Sequence, residues 1–302
     1  MSEEKEIKQG EFVFSILDDR VWVKAWTGGR QRAEVPDQVN GRPVTGILPY
    51  AFCGCPSIRE AVLPVSMENV GAHAFFNCRS LQSVTFTDQL SQIGDGAFKN
   101  DLEFCQVHLV ITGKKKTPFR AFQFLMEDMD RRMDAWITQR DGSTAKLVFP
   151  FFVVDYEEDY GARVFHEFSY GIGQAYRQCI SGDHMDYAGY DRLFSQCRRQ
   201  ETEPVLTDMA LGRLRYPLAL TGEAADRYRD YLREQAVPAG KRMLKKGDVD
   251  AIRFLAREGC FTEQALAELI GEAARWEQIE AASFLMDHRH KTFRRKEKRF
   301  EL

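Results

Sequence analysis

The sequence predicts an α+β repeat protein: a short N-terminal solenoid with a 23-residue period, followed by an all-α region of stacked helix pairs. Three observations support this fold class. An Ala-Phe pair occurs three times at a spacing of 23 residues between residues 51 and 98. Apolar residues after residue 118 recur every three or four positions, which is the period of an amphipathic helix. A second, weaker repeat of 30 residues lies near the carboxyl end.

Columns of apolar residues run through the 23-residue repeat. The pattern Ala-Phe-x-x-Cys at residues 51–55 returns at 74–78, and as Ala-Phe-x-x-Asp at 97–101. Further columns align when 23 is added: Ile47, Val70 and Ile93; Cys55, Cys78 and Asp101; Ile58, Leu81 and Phe104; Ala61, Val84 and Val107; Leu63, Phe86 and Leu109. A fixed period in the twenties with apolar columns is typical of a solenoid whose coils stack on one shared core.

Each coil is predicted to contain one short strand and, at the Ala-Phe stretch, a return turn or short helix. Val84 and Phe86 alternate with Thr85, which is the period of a strand with Thr85 facing outward. We expect the Ala of the Ala-Phe pair to allow close approach of the next coil, and the Phe to fill the space between coils. The cysteine is interpreted as a small apolar residue of a repeat column rather than as a redox or metal-binding residue.

The pattern Ile-Gly-x-x-Ala-Phe-x-x-Cys-x-x-Leu-x-x-Val-x-Phe/Leu resembles the bacterial BspA-like (Treponema-type) leucine-rich repeat. The middle copy carries Val70, Gly71, Ala74, Phe75, Cys78, Leu81, Val84 and Phe86. The first copy departs from the pattern at Leu48 and Ala61, and the third departs at Asp101. Residues 21–47 resemble the hairpin segment that precedes the repeats in this family. The resemblance implies a leucine-rich-repeat solenoid over residues 1–111 and a role in adhesion or interaction, which most family members perform at cell surfaces.

The outward columns of the predicted strands form the candidate partner-binding site. They comprise Glu60, Val62, Ser83, Thr85, Gln106 and His108. A solenoid presents such residues on one continuous concave face. Apart from Val62 these side chains are short and polar and share no charge, which favours a protein or peptide partner over a nucleic-acid backbone.

A linker and a capping helix are predicted over residues 112–144. Three lysines and a proline at 112–118 interrupt the strand pattern. Residues 119–137 then carry apolar side chains at helical spacing, namely Phe122, Leu125, Met129, Met133 and Ile137. A helix of this kind could cover the open last coil, because an exposed solenoid end needs a cap.

The middle region, residues 145–238, is predicted to be helical with one extended segment. Residues 145–156 are apolar but interrupted by Pro150, which favours an edge strand or an extended segment beneath helices. No strand pattern is evident from residue 161 onward. Helices are expected within residues 162–180, 185–197, 204–217 and 224–237.

Residues 239–302 are predicted to form ankyrin-like helix pairs and a basic tail. Residues 250–258 match residues 280–288 at a shift of 30, which pairs Phe254 with Phe284 and Leu255 with Leu285. The Thr-Pro-Leu-His signature of ankyrin repeats is missing, so stacked helix pairs are the firmer part of this prediction. The tail at 288–300 could contact nucleic acid or an anionic membrane, and a solvated helix end is the simpler interpretation.

An alternative hypothesis places an enzyme or ligand-binding cleft in the middle region. Arg177, His184 and Asp191 would line it, in a stretch rich in tyrosine. However, the segment around His184 has the polar composition of a helix–helix loop, and tyrosines commonly pack in small helical cores. We therefore expect a binding protein without catalytic residues, cofactor or metal.

Composition and targeting features complete the prediction. The chain has 302 residues, 44% of them apolar and 29% charged, with a net charge of -3, which predicts a packed core and disfavours a nucleic-acid partner. No signal peptide and no membrane-spanning stretch is evident. Seven cysteines in a chain without a secretion signal predict reduced thiols and a cytoplasmic location. The sequence predicts neither the identity of the partner nor the oligomeric state.

Overall fold

The structure is a computed structural model that describes residues 5–17, 19–113, 115–159 and 164–293. Two compact units divide the chain. The first comprises Met1–Gln200 and Tyr216–Ala219, and the second comprises Glu201–Arg215 and Leu220–Leu302. The boundaries predicted near residues 111 and 144 lie inside the first unit, and the boundary near residue 238 lies inside the second.

The described residues form fifteen strands, all within the first unit. Their bounds are β1 (Lys5–Gln9), β2 (Phe12–Leu17), β3 (Arg20–Trp26), β4 (Arg32–Glu34), β5 (Gln38–Val39), β6 (Arg42–Ile47), β7 (Glu60–Val62), β8 (Asn69–Val70), β9 (Ser83–Thr87), β10 (Gln92–Ile93), β11 (Gln106–Val110), β12 (Met133–Thr138), β13 (Thr144–Phe149), β14 (Val153–Asp159) and β15 (Val164–Tyr170).

The same residues form nine helices. Three belong to the first unit: α1 (Arg120–Asp128), α2 (Gly173–Arg177) and α3 (Tyr187–Cys197). Six belong to the second: α4 (Glu203–Arg215), α5 (Gly222–Glu234), α6 (Ala236–Lys246), α7 (Val249–Arg257), α8 (Glu263–Arg275) and α9 (Ile279–Phe293). None of the helices in the described residues is long and apolar enough to cross a lipid bilayer.

Two sheets form the walls of the solenoid. The first sheet has the order β1-β2-β3-β6-β8-β10, with β5 beside β6, and its pairs from β3 to β10 are parallel. The second sheet has the order β13-β12-β11-β9-β7-β4, and its pairs from β4 to β12 are parallel. The predicted N-terminal hairpin is present, because β2 pairs with β3 antiparallel. The predicted α+β architecture, a repeat region of strands followed by helices, is therefore confirmed.

The backbone repeats with the same 23-residue period as the sequence. A positive φ occurs once per coil at Tyr50, His73 and Gly96, and again at Gly54, Asn77 and Asn100. These positions turn the chain between the two sheets, and glycine and asparagine are among the residues that tolerate this conformation best. The return segment is thus a pair of tight turns around the Ala-Phe motif.

A stack of phenylalanine rings fills the space between the sheets. The rings of Phe52 and Phe75 lie 4.5 Å apart, those of Phe75 and Phe98 lie 5.1 Å apart, and Phe104 continues the stack at 4.9 Å from Phe98. All four side chains are buried. The prediction that each repeat phenylalanine packs between coils is confirmed, and large buried rings of this kind contribute much of a core's stability.

The predicted helix over residues 119–137 is wrong in its second half. Helix α1 ends at Asp128, and residues 133–138 form strand β12, parallel to β11. Met133 and Ile137 fit a helical period, but with Ala135 they also fit a strand period, and all three are buried. Pairing with the open edge of β11 satisfies that strand's backbone groups, which a continued helix could not do.

The prediction of an all-helical chain after residue 161 is also wrong. Residues 164–170 form β15, which pairs antiparallel with β14. The chain then turns at Gly171, whose φ is +90°, before the short helix α2 begins at Gly173. A Cβ on Gly173 would lie 2.2 Å from the carbonyl oxygen of Pro150, so glycine is required here by a close approach of the backbone. The edge-strand interpretation of the segment around Pro150 agrees with β13, which ends just before that proline.

Two turns in the second unit repeat at the shift of 30 residues. The amide of Asp248 donates to the carbonyl of Met243, and the amide of Gln278 donates to that of Ala273. The residues before them, Gly247 and Glu277, both have positive φ. Helices α6 and α7 form one antiparallel pair around the first turn, and α8 and α9 form the next around the second, with α6 against α8 and α7 against α9. The stacked helix pairs are therefore present, and the ankyrin-like character of the tail stays a hypothesis.

Pro238 lies within the first turn of α6 instead of ending a helix. Proline is tolerated there because the first backbone N–H groups of a helix have no partner inside the helix. The basic tail is described only as far as residue 293, in α9, so most of that prediction lies outside the described residues.

Candidate protein-binding face

The six residues of the predicted face lie on three neighbouring strands in register. Glu60, Ser83 and Gln106 are partners across β7, β9 and β11. Val62, Thr85 and His108 form the adjacent row. The residues between the rows, Ala61, Val84 and Val107, are buried. Because side chains alternate along a strand, the six residues share the outer face of the second sheet.

Three further strands extend both rows. Strand β4 adds Arg32 and Glu34 at one end. Strand β12 adds Asp134 and Trp136 at the other end, and Lys146 on β13 stands opposite Trp136. We call the outward residues of the second sheet the second-sheet face; they are Arg32, Glu34, Glu60, Val62, Ser83, Thr85, Gln106, His108, Asp134, Trp136 and Lys146.

The sequence prediction missed the β12 and β13 part of this face because it placed residues 119–137 in a helix. A local pattern could have revealed it. Met133, Ala135 and Ile137 are buried, and Asp134 and Trp136 between them are partly exposed. This alternation over six residues is the signature of a half-buried strand.

The most structured part of the face is a cluster of His108, Trp136 and Lys146. The His108 and Trp136 rings are stacked, with centroids 4.6 Å apart and planes 4° apart. The Lys146 Nζ lies 4.7 Å from the centre of the Trp136 ring and 3.4 Å from an Asp134 carboxylate oxygen. The indole is therefore held between an imidazole and an ammonium group, so its orientation is fixed before any partner arrives.

Burial lowers the pKa of His108 from its ordinary value. The Glu60 carboxylate acts in the opposite direction, and the Lys146 ammonium lowers the pKa further. The imidazole is accordingly neutral at pH 7. A neutral ring leaves Lys146 as the positive charge beside Trp136.

Ion pairs occupy both ends of the second-sheet face. At the β4 end, Arg32 contacts Glu60 at 2.8 Å and Glu34 at 3.5 Å. At the β12 end, Asp134 contacts Arg132 at 3.1 Å as well as Lys146. The exposed pairs at the β4 end add little stability. Together with the partly buried pairs at the β12 end, they place both signs of charge around the uncharged centre formed by Ser83, Thr85 and Gln106.

The residues of the alternative cleft do not form one. Arg177 is 2% exposed, and its guanidinium donates to five backbone carbonyls: those of Met126, Met129, Arg131, Pro150 and Gly173. Burial lowers its pKa to about 10. This arginine joins α1, α2 and the segment before β14, so its role is structural.

His184 and Asp191 occupy unlike environments. His184 is exposed in a turn where Ser181 and Asp183 contact its Nδ1. Asp191 is buried on α3. Five cavities of about 400 to 660 Å³ on the two units are lined by residues other than Arg177, His184 and Asp191. The cleft hypothesis is therefore not supported.

Within the described residues no group of three His, Cys, Asp or Glu side chains could hold a metal ion.

The family of the repeat region follows from comparison with known sequences. Residues 45–125 match the model of the BspA type leucine rich repeat region in six copies. Residues 45–125 form a BspA-type leucine-rich repeat region. The matched region extends past residue 111, where the solenoid is predicted to end, and includes most of α1. Among proteins with curated descriptions, none matches the chain.

Several solved structures resemble the leucine-rich repeat region. A leucine-rich repeat protein from Bacteroides capillosus is 25% identical over 39% of this chain and 91% of its own, with a TM-score of 0.34. A leucine rich repeat protein from T. pallidum is 21% identical over 35% of this chain and 72% of its own, with a TM-score of 0.25. A leucine rich cell surface protein from Faecalibacterium prausnitzii is 18% identical over 47% of this chain and 44% of its own, with a TM-score of 0.30.

Proposed function

We propose that this chain is a protein-binding module whose leucine-rich repeat region contacts a protein or peptide partner through the second-sheet face. Leucine-rich repeat proteins generally mediate protein–protein interaction or surface binding, and no catalytic arrangement is evident in the described residues. The observation that carries the proposal is the stacked cluster of His108, Trp136 and Lys146 at the end of two rows of outward residues.

The cluster has the properties of a binding hot spot. Tryptophan and arginine dominate the energy of protein interfaces, and a large aromatic side chain fixed in one rotamer loses little entropy on binding. Trp136 is half-buried in the free protein, so one part of the indole packs on the sheet and another part stays open to a partner. The neighbouring short polar side chains at 83, 85 and 106 leave room for the partner's own side chains.

Two face variants and one matched control test this proposal. The first variant combines Glu60→Arg, Thr85→Arg and Gln106→Arg, and the second is Trp136→Ala. Trp276→Ala serves as the control, because Trp276 is another half-buried tryptophan, at the end of α8 in the second unit. Each protein is used to capture partners from the lysate of its native host, and the captured proteins are quantified by mass spectrometry.

We expect that wild type and the Trp276→Ala control capture the same partner protein. Neither face variant should capture it. Removal of a tryptophan hot spot weakens binding by at least about 2 kcal/mol, or roughly thirtyfold. Circular dichroism of every variant serves to check that the fold is intact. Equal capture by wild type and both face variants would exclude the second-sheet face as the binding surface.

The helix pairs of the second unit are proposed to offer a second surface, which would make the chain a bridge between partners. The alternative interpretation, contact of the basic tail with nucleic acid or a membrane surface, gains no support from the described residues. The cytoplasmic location stays a prediction. Fractionation of host cells with an antibody against the chain tests the location, because a surface protein would be removed by protease treatment of intact cells.

A further inference from the structure

A cavity on the second unit carries unpaired positive charge beside two aromatic rings. It has a volume of about 450 Å³ and is lined by Arg215 of α4, by Asp250, Arg253, Ala256 and Arg257 of α7, and by Phe284 and His288 of α9. This volume lies within the range of small-molecule sites in proteins. The cavity shares no residue with the second-sheet face.

The arginines of the cavity lie over phenylalanine rings. The guanidinium carbons of Arg215 and Arg257 both lie 5.8 Å from the centre of the Phe254 ring. That of Arg253 lies 5.8 Å from the centre of the Phe284 ring, and the His288 imidazole is stacked on the same ring at 5.9 Å. Because a ring supports each guanidinium, the arginines are partly ordered before a ligand binds.

The charges of the cavity do not cancel. Arg253 is neutralised by Asp250 at 3.1 Å and Glu280 at 2.7 Å. Arg215 and Arg257 are exposed, and among the described residues neither contacts a carboxylate. By contrast, the half-buried Arg227 and the exposed Arg233 of this unit each pair with an acid one turn away. Two guanidinium groups with free donors therefore face the same cavity.

We propose that this cavity binds a phosphate monoester carried on a small aromatic or apolar body. Two unpaired guanidinium groups match the charge of a dianionic phosphate, and each can donate two parallel hydrogen bonds to its oxygens. The Phe284 and His288 rings offer a surface for the body that carries the phosphate. A monocarboxylate would leave one arginine without an anionic partner, so it fits the site less well.

Isothermal titration calorimetry of the 302-residue chain tests the site with four probes. Phenyl phosphate and a neutral peptide with one phosphotyrosine carry both parts of the proposed ligand. Inorganic phosphate lacks the ring, and phenylacetate replaces the phosphate with a carboxylate. Either phosphorylated aromatic probe is expected to bind more tightly than the other two, and binding should weaken at higher salt. If phenyl phosphate binds more tightly than the phosphotyrosine peptide, the phosphate of the natural ligand is carried on a free ester. If the peptide binds more tightly, it is carried on a phosphorylated side chain.

The double variant Arg215→Gln, Arg257→Gln should weaken the binding of phenyl phosphate by about tenfold or more, because two charge-assisted contacts are lost. The variant Arg215→Lys, Arg257→Lys keeps the charge without the forked donors and should bind at an intermediate level. Arg275→Gln, an exposed arginine of α8 outside the cavity, should bind like wild type. Melting curves confirm that each variant is folded.

Three results would overturn the proposal. The first is no binding of either phosphorylated aromatic probe by wild type. The second is binding of phenylacetate or inorganic phosphate as tight as that of phenyl phosphate. The third is unchanged phenyl phosphate binding by the folded Arg215→Gln, Arg257→Gln variant.

Discussion

Asp101 is a buried carboxyl group in a column that otherwise holds cysteines. It is 0% exposed, and it follows Cys55 and Cys78 at steps of 23 residues. One carboxyl oxygen accepts a hydrogen bond of 2.7 Å from the amide of Cys78, while the other oxygen is buried without a hydrogen-bond partner. Burial raises the pKa of Asp101 to about 8, against the opposing effects of the Cys78 amide and Arg131.

The replacement Asp101→Asn is expected to stabilise the protein increasingly as the pH rises. In the folded chain the raised pKa retains a proton that the unfolded chain, with an ordinary pKa of 3.8, has already released. The folded state of wild type therefore loses stability as the pH rises from about 4 to about 8. Asparagine has no proton to lose and keeps the acceptor for Cys78, so we expect a gain of roughly 1–3 kcal/mol near pH 8.

Thermal melts of wild type and Asp101→Asn across this pH range measure the effect. The melting temperature of the variant should exceed that of wild type near pH 8 and approach it near pH 4. Asp37→Asn replaces an exposed aspartate of the first unit and is the control, so it should show no such trend. A difference that is constant with pH would contradict the assignment of a buried, protonated Asp101.

At the scale of elements, the stacking of coils depends on glycines where adjacent backbones approach. A Cβ on Gly71 would lie 2.5 Å from the backbone nitrogen of Pro49, and a Cβ on Gly94 would lie 2.3 Å from that of Ala72. The obstacle at both positions is backbone, which cannot rotate away as a side chain can. These two glycines follow β8 and β10 and are spaced by the repeat period.

Gly94→Ala is therefore expected to destabilise the first unit by about 1–3 kcal/mol, the usual cost of overpacking. Gly29→Ala is a suitable control, because a Cβ there meets no atom within 4 Å and its φ is not positive. Chemical denaturation followed by circular dichroism gives both free energies of unfolding. If Gly94→Ala lowers the free energy of unfolding no more than the control does, adjacent coils can move apart around the added methyl group without a loss of stability.

The sequence predicted the elements best where a single period applied. In the 23-residue coils, the apolar columns, the glycines and the turns all have the same period. The outward position of residues such as Thr85 could therefore be predicted from the residue spacing alone. The prediction was wrong for β12 because its parallel partner β11 lies on the other side of helix α1 in the chain. The prediction also missed β15, although that strand pairs with β14 directly before it. Met133 and Ile137 fit both a helix and a strand, and only the open edge of β11 decides between the two. Trp136 was missed for the same reason, and with it the aromatic cluster at the β12 end of the candidate face.

At the scale of the whole molecule, residues 216–219 belong to the first unit, although the chain on either side of them belongs to the second. Pro217 forms a bridge with Ala145 on β13, and the amide of Leu218 donates to the carbonyl of Thr144 at 3.3 Å. Farther along the same strand, the Tyr190 hydroxyl accepts from the amide of Val148 and donates to its carbonyl. The last strand of the second sheet is thus covered along its outer edge, as exposed sheet edges usually are.

Hydrogen exchange followed by mass spectrometry can show which unit protects residues 216–219. We expect Gly94→Ala, which weakens the first unit, to accelerate exchange of the peptide containing the Leu218 amide. Leu255→Ala removes a fully buried side chain of the second unit and should leave that peptide unchanged. The opposite pattern would assign residues 216–219 to the second unit.

The return of residues 216–219 also bears on how the protein is made. A ribosome releases the chain from its amino end, so α4 is synthesised before the four residues that cover β13. Until residue 219 has emerged, the second sheet ends in a strand whose outer backbone groups are only partly satisfied. The nascent first unit therefore carries an open strand edge from the synthesis of β13 until residues 216–219 follow, and during this interval two nascent chains are exposed to edge-to-edge pairing.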